Sequence, residues 1–405
     1  KAYAKCPNLF GEEFCVDTDL MALVRLNMTK GLGRATLLKL LHAYPSPNAI
    51  VQDAPSQWAQ KAKVSTARIE QIPGADDPEV VRALEYIRRN GIRILTPACA
   101  EYPQALRSID DPPALLYVRG TLSSRPCIAI VGSRRATRDG RRMAQELGRD
   151  LVQAGFCVVS GMASGIDAAA HEGALSASGG AEPGAMSTMG VLGGGIDVIY
   201  PRSHVQLYQR VAACGALISE YPPGCEPLAH HFPGRNRIIS ALSLGVVVVE
   251  AAARSGSLIT AEFALEQGRE VFAVPGSVYS PASSGTLQLL KDGAIMVTGA
   301  QDVVDEYRRH VQNHTGRKME NLFERDLHPD DGRSVSSENP ASVPAVEQLG
   351  TQEKKVFILL GSDPLHVDEI AGESGLTPME VSSIVLHLEL QGLAKALPGA
   401  RYIRV

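Results

Sequence analysis

The sequence predicts an α/β protein whose centre is a parallel sheet covered by helices on both faces. A helical segment precedes the sheet, and a small unit of helices and a hairpin follows it. Three observations carry that expectation. From Cys127 onward, short aliphatic runs alternate with helical stretches, the pattern of right-handed β-α-β crossovers. The runs are apolar throughout, as at Ile128 to Val131, so both faces of each strand are buried. At 405 residues, 44% hydrophobic and 21% charged, the chain is too long for one ordinary core and divides into several domains.

The formal net charge of −4 excludes a protein coated in basic surface, so any nucleic-acid contact has to be local, in clustered arginines. No apolar run approaches the length that spans a bilayer. No signal peptide is read, and Lys1 in place of Met suggests a trimmed or partial start. The seven cysteines show no CxxC spacing. Those in apolar strands, such as Cys127 and Cys157, are expected to be buried free thiols in a reducing cytoplasm.

Residues 1–91 read as all-helical. Asp17 or Thr18 can cap LMALVRLNM, and after Gly31-Leu32-Gly33 the set Leu37, Leu38, Leu40, Leu41 has helical spacing. A GLG between two helices resembles a helix-hairpin-helix turn, a non-specific binder of DNA backbone; a plain packing turn is the commoner use. Pro45, Pro47, Pro55, Pro73 and Pro78 keep the following helices short, and Arg82, Arg88 and Arg89 fall on a solvated helix face.

Residues 92–310 form the central domain. A strand at 92–95 leads into a connecting segment, 101–120, whose prolines exclude a long helix and whose end, LLYVRG, is another strand. Strands are then expected at 128–131, 156–160, 190–192, 216–219, 245–250, 270–274 and 294–297. Helices are expected at 140–154, 163–175, 203–213, 237–243, 258–267 and 286–291. The small residues of 176–187 suggest a surface loop insertion. Residues 311–346, polar and without apolar periodicity, read as a linker. His310 and His314 have a metal-compatible spacing, but with no carboxylate motif beside them the spacing is read as coincidence.

The last unit spans 347–405. Helices are expected at 352–360 and 367–373. A third opens on a capping box of Thr377, Pro378 and Glu380 and carries Val381, Ile384, Val385 and Leu388 on one face. LAKALPGARYIRV then reads as two short strands around Pro398-Gly399. Three helices and a hairpin make a winged-helix pattern. From 352 to 405 it has five Lys/Arg against seven Asp/Glu, and none of the basic residues lies on the third helix, which makes it a poor phosphate reader.

The chemistry-bearing loops all follow strands. They are Gly132-Ser133-Arg134-Arg135; Gly161, Ser164 and Gly165 ahead of Asp167 and His171; Gly193-Gly194-Gly195 followed by Tyr200-Pro201-Arg202; the run from His230 through Phe232 to Arg235, Asn236 and Arg237; and Ser255-Gly256-Ser257. Glycines allow close approach of backbone or phosphate, and helix starts leave N–H groups free to bind anions. One such loop is explained by an ordinary tight turn. Several in succession, with arginines, suggest an anion-binding groove along the carboxyl edge of the sheet.

There is no GxxxxGK[ST], no dinucleotide fingerprint, no GxSxG and no HExxH, and no cofactor is implied. Ser160, Asp167, His171, Ser219 and Glu220 are catalytic residue types, but nothing places a nucleophile beside a base. Binding of a sugar-phosphate chain remains, with Phe232 or Tyr200 able to stack a base. A single strand is favoured because no basic helix is evident to enter a major groove.

The segments IAIVGSRRAT, VVSGMASGIDAAAH, LGGGIDVIYP, ISEYPPG, FPGRNRIISALS, EAAARSGSLITAEFALEQGREVFAVPG and GTLQLLKDGA resemble, in order, the motif series of the DprA/Smf DNA-processing proteins. The resemblance covers about residues 100 to 300 and implies an extended Rossmann-like sheet with a C-terminal winged helix. It also implies a bacterial cytoplasmic protein of natural transformation, not an enzyme, that binds incoming single-stranded DNA, forms a homodimer and loads RecA recombinase. It places Arg134 and Arg202 at the DNA, with Arg235 to Arg237 in the same region. The loop 176–187 departs from the pattern. Leu287, Leu289 and Leu290 are dimer candidates, with ordinary core packing as the alternative. The runner-up is a nucleotide hydrolase of the lysine-decarboxylase-like phosphoribohydrolase type. That family's PGGxGTxxE is missing here, and Thr260-Ala261-Glu262 is only loosely comparable.

Overall fold

The computed structural model describes residues 18–315, except 66, 178–181 and 183. It also describes residues 351–404, except 362–364, 378–380, 382, 383, 386, 387, 389–393 and 398–400. Residues up to Val304 group as one compact unit and those from Asp305 as a second.

The chain begins with α1 (Thr18–Met28), α2 (Arg34–Ala43), α3 (Pro47–Gln52), α4 (Pro55–Lys61) and α5 (Pro78–Arg89). The prolines do what their chemistry favours. Pro47, Pro55 and Pro78 each occupy the first turn of a helix, where the missing N–H costs nothing. Ser46 and Asp77 cap α3 and α5 by accepting from Ala49 and Glu79 N–H. Between α1 and α2 the chain reverses through Gly31 at φ +78°, where a Cβ would sit 1.7 Å from the Arg68 carbonyl oxygen. Only glycine fits there. Leu23, Leu26, Leu37, Leu40, Ile50 and Trp58 share one core cluster with Met162, Leu192 and Leu217, so these helices pack on a face of the sheet. Trp58 is fully buried, and its indole N–H donates to the Ile50 carbonyl at 3.1 Å.

The sheet elements follow as β1 (Arg93–Leu95), α6 (Gln104–Arg107), β2 (Leu116–Gly120), β3 (Cys127–Val131), α7 (Arg138–Gln153), β4 (Cys157–Ser160), α8 (Ile166–Ser176), β5 (Thr188–Leu192) and α9 (Val205–Cys214). Then come β6 (Gly215–Ser219), α10 (His231–Ala241), β7 (Gly245–Val248), α11 (Gly256–Glu266), β8 (Glu270–Ala273), α12 (Ser284–Lys291), β9 (Ile295–Met296) and α13 (Ala300–Thr315). The strand order is β1-β2-β6-β5-β4-β3-β7-β8-β9. The seven strands from β6 to β9 are parallel, while β1 and β2 extend the edge antiparallel, so the sheet is mixed. The chain winds outward from β3 to β6, then returns to place β7 on the other side of β3. The topological switch point therefore lies between β3 and β7, and ligands of such sheets sit beyond the carboxyl ends of those strands.

In the second unit, α14 (Thr351–Leu359), β10 (Leu365–His366), α15 (Val367–Ser374), β11 (Ala394–Leu397) and β12 (Arg401–Arg404) give a three-stranded sheet in the order β10-β12-β11. Val381, Val385 and Leu388 of the expected third helix are buried with Val356, Leu360 and Ile370. Pro378 and Glu380 of its capping box lie outside the described residues. The short β10 has no counterpart among the expected elements, since two residues carry no alternation to read.

Several boundaries differ from expectation for local reasons. α10 starts at His231 rather than 237, because the stretch ahead of 237 is already helical from its second histidine. α8 starts at Ile166 rather than 163, since Gly165 at φ +84° cannot continue a helix. α13 runs to Thr315, into the segment expected to be linker; the rest of that segment lies outside the described residues. Cys127, Cys157 and Cys214 are buried free thiols, whereas Cys99 is disulfide-bonded. Among the described residues no helix is long and apolar enough to cross a membrane.

Candidate nucleic-acid interface

The loop after β3 is held from two sides. Ser133 N–H donates to the Glu250 carbonyl at 2.8 Å, and the Ser133 carbonyl accepts from Ile166 N–H at 3.2 Å. Gly165 permits this second contact, because a Cβ there would sit 2.2 Å from the Ser133 carbonyl oxygen. At the start of α7, Thr137 caps by accepting from Gly140 N–H at 3.0 Å. Its own N–H donates to the Glu250 carboxylate at 2.9 Å, and its hydroxyl donates to the other carboxylate oxygen. A carboxylate from the loop after β7 thus occupies the α7 N-terminus, where the bare sequence suggested a phosphate. A Cβ on Gly140 would lie 2.3 Å from that carboxyl carbon. Sequence reasoning misses Glu250, because its partner lies 113 residues away.

With that helix start taken, the exposed cations of the neighbouring loops remain. Arg134 and Arg135 after β3, Arg202 after β5 and Arg254 after β7 are all exposed. Their strands span three inter-strand steps, so the stripe is about 14 Å long at the backbone. The Arg134 guanidinium lies 4.7 Å from the centre of the half-buried Phe232 ring, within cation–π range. Phe232 faces Tyr200 at 6.0 Å between centroids, and a Cβ on Gly193 would come within 3.1 Å of the Phe232 ring. Gly193 therefore makes room to seat the phenyl ring. The cavity beneath Phe232 has a volume of about 10 Å³, room for a single water and too small for a nucleoside. No base fits beneath Phe232, so room for a ligand at these rings lies outside that cavity.

Three predicted contacts are corrected. Arg235, Asn236 and Arg237 are buried and engaged inside the fold. Arg235 donates to the Gly161 and Val191 carbonyls at 2.5 Å, tying the β4 loop to β5, and to the Asn236 side-chain oxygen. Asn236 donates to the Gly256 carbonyl. Arg237 donates from one nitrogen to both Glu220 carboxylate oxygens at 2.6 and 2.7 Å and lies 3.3 Å from Asp111, which also pairs with Arg34 of α2 at 2.7 Å. These guanidiniums satisfy carbonyls and carboxylates that burial would otherwise leave stranded. Gly161 accordingly serves Arg235; a Cβ there would sit 2.4 Å from its guanidinium.

The remaining candidates sort by exposure. Ser164 is half-buried. Ser255 caps α11 and shares a 2.7 Å hydroxyl contact with the buried Ser257, while Gly256 is exposed and has open space where a side chain would stand. Leu287, Leu289 and Leu290 are half-buried, Leu289 against the core, and Met296 on the edge strand β9 is 58% exposed.

The five catalytic residue types all serve the fold. Ser160 donates to the Ile130 carbonyl at 2.6 Å and Ser219 to the Gly194 carbonyl at 2.7 Å. Burial pushes the Asp167 and Glu220 carboxyls up, against the pull of Arg235 and Arg237. The Thr188 hydroxyl gives its proton to the Val158 carbonyl, so His171 Nδ1 donates to Thr188 at 2.7 Å, and burial drives this imidazole down to about 3. It is neutral and enclosed rather than poised as a base.

Comparison with known proteins is consistent with this geometry. Residues 93–308 match the family model of DNA recombination-mediator protein A, and residues 340–400 match that of the DprA winged helix domain. The chain is 39% identical over 296 residues to the DNA processing protein DprA of Bacillus subtilis (strain 168), spanning 72% of this chain and 96% of the relative. It is 39% identical over 317 residues to Protein Smf of Escherichia coli (strain K12), spanning 77% of each. The X-ray structure of DNA processing protein A from Streptococcus pneumoniae superposes with a TM-score of 0.57 at 33% identity, over 71% of this chain and 97% of that one.

Proposed function

The chain belongs to the DNA recombination-mediator protein A (DprA/Smf) family of DNA-processing proteins, and on that premise we propose that it binds single-stranded DNA along the carboxyl edge of its sheet. One observation carries this reading. Exposed arginines from the loops after β5, β3 and β7 line a single edge, with Arg134 poised over the Phe232 ring. Arginines at that spacing neutralise successive phosphates. An aromatic ring beside them stacks a base without reading its identity. A duplex offers no unstacked base to Phe232, so single strands are preferred. The protein acts by binding and not by catalysis, since the catalytic residue types are consumed in the fold. Loading of RecA recombinase, homodimerisation (with Leu287, Leu289 and Leu290 as the face) and a cytoplasmic role in natural transformation complete the reading. They rest on the family resemblance.

Arg134→Ala or Arg202→Ala should weaken binding of an oligothymidylate and make its salt dependence shallower, by about one unit of log–log slope for each phosphate no longer neutralised. Arg88→Ala, on the solvated face of α5, should change neither. Titration of the purified chain with single- and double-stranded DNA across salt measures this. Equal affinity in all three variants would remove the edge from consideration.

A further inference from the structure

The sheet edge does not end at Phe232. The next residues back along the chain carry two more rings, and a fourth side chain continues the row. His231 stacks on Tyr221 with centroids 4.2 Å apart and planes at 23°, and His230 meets His231 edge-on at 4.5 Å. His231 is anchored through Nδ1 at 3.2 Å from the Gly193 carbonyl, the same glycine that seats Phe232. Tyr200 and Phe232 at the edge are thus joined along the chain by a second group of rings, His231, His230 and Tyr221. The last three line a groove of about 1100 Å³ between the sheet loops and the α1–α2 hairpin.

The groove has a sign. Of its acids, Asp197 accepts twice from Gly224 N–H at 2.8 and 2.9 Å, and Glu220 is chelated by Arg237, so both charges are engaged. Of its bases, Arg34 is held by Asp111. Lys30 at the hairpin turn and Arg82 on α5 are exposed, against Glu79. A groove lined by three rings and two exposed cations suits one occupant, a continuing sugar-phosphate strand.

We propose that a single DNA strand held at Arg134 and Phe232 continues along these rings into the groove, where Lys30 and Arg82 contact its phosphates. The helical N-terminal region is then a second DNA-contacting surface, and the inference rests on the edge reading above. The hairpin turn need not act through its glycines, since Gly31 is already committed to packing against Arg68.

The test uses the full chain and two labelled oligothymidylates, of about six and about twenty-five nucleotides, followed by fluorescence anisotropy. The shorter fills only the Arg134–Phe232 end. In the Lys30→Glu, Arg82→Glu double variant, affinity for the longer strand should fall about tenfold or more, towards that of the shorter, while the shorter is unaffected. Trp58, the sole tryptophan, is buried among the N-terminal helices, and its emission reports that they remain folded. The milder Lys30→Gln, Arg82→Gln pair should move the same way by less. Unchanged long-strand affinity in both double variants overturns the inference and leaves the edge reading standing. Failure of the edge reading looks different: Arg134→Ala would leave both lengths unaffected, and the inference would fall with it.

Discussion

Replacing Arg237 with alanine separates the structural arginines from those proposed to bind DNA. In the folded chain its guanidinium neutralises Glu220, whose side chain is only 8% exposed, and lies beside Asp111. Arg237→Ala leaves Glu220 buried without its partner. Removing one member of a buried pair in this way costs about 3–5 kcal/mol. Near 2 °C per kcal/mol for a unit of this size, that corresponds to a fall of about 6–10 °C in Tm.

The loss has a pH signature. Burial already raises the Glu220 carboxyl, and the nearby Arg237 charge opposes that rise more than any other group. Without it the folded-state pKa stands further above the unfolded value, so the folded form holds a proton that the unfolded form releases. The deficit is therefore small below the unfolded carboxylate pKa of about 4.3 and grows as pH rises through the folded value. Urea unfolding followed by circular dichroism at pH 7 and near pH 5 measures both quantities. Glu220→Leu with Arg237→Met should recover most of the stability. Wild-type stability in Arg237→Ala with weakened strand binding would refute the assignment and return Arg237 to the proposed DNA contacts.

Two further outcomes follow from the same contacts. Glu250→Ala removes two charge-assisted hydrogen bonds at a half-exposed site and should cost about 1–2 kcal/mol while loosening the Arg134 loop, whereas Glu250→Gln keeps one acceptor and should lose about half as much. Denaturant titration beside strand binding checks this, and equal losses in both variants would contradict it. His171 titrates near 3 when folded and about 6.5 when unfolded, so the stability its neutral form contributes is complete above about pH 6.5 and is lost as pH falls towards 3. His171→Gln, which keeps a donor for Thr188, should flatten the acid limb of the stability profile; an unchanged limb would exclude His171 as its source.

Much of the architecture is legible locally. Buried parallel strands announce themselves as unbroken aliphatic runs such as Ile128 to Val131, and helix starts carry their caps, as Thr137 and Ser255 do. The motif series by itself points to the family. The antiparallel addition of β1 and β2 is not legible, because a three-residue strand has no pattern that states its direction.

At the site, sequence determined which loops meet at the sheet edge, since crossover handedness and strand ends dictate that much. It could not determine which arginines reach solvent. Arg134 and Arg235 are equivalent as letters, yet one lies on the surface over Phe232 and the other is buried beneath the loops. Exposure depends on what packs against a helix, and the groups that enclose Arg237 come from Glu220 and Asp111, distant in the chain. The same holds for Glu250, which fills the α7 N-terminus that the strand-loop-helix motif alone would have given to a phosphate. Local sequence fixes backbone conformation and hydrophobic period. Charge pairing across the fold decides which cations remain available to bind.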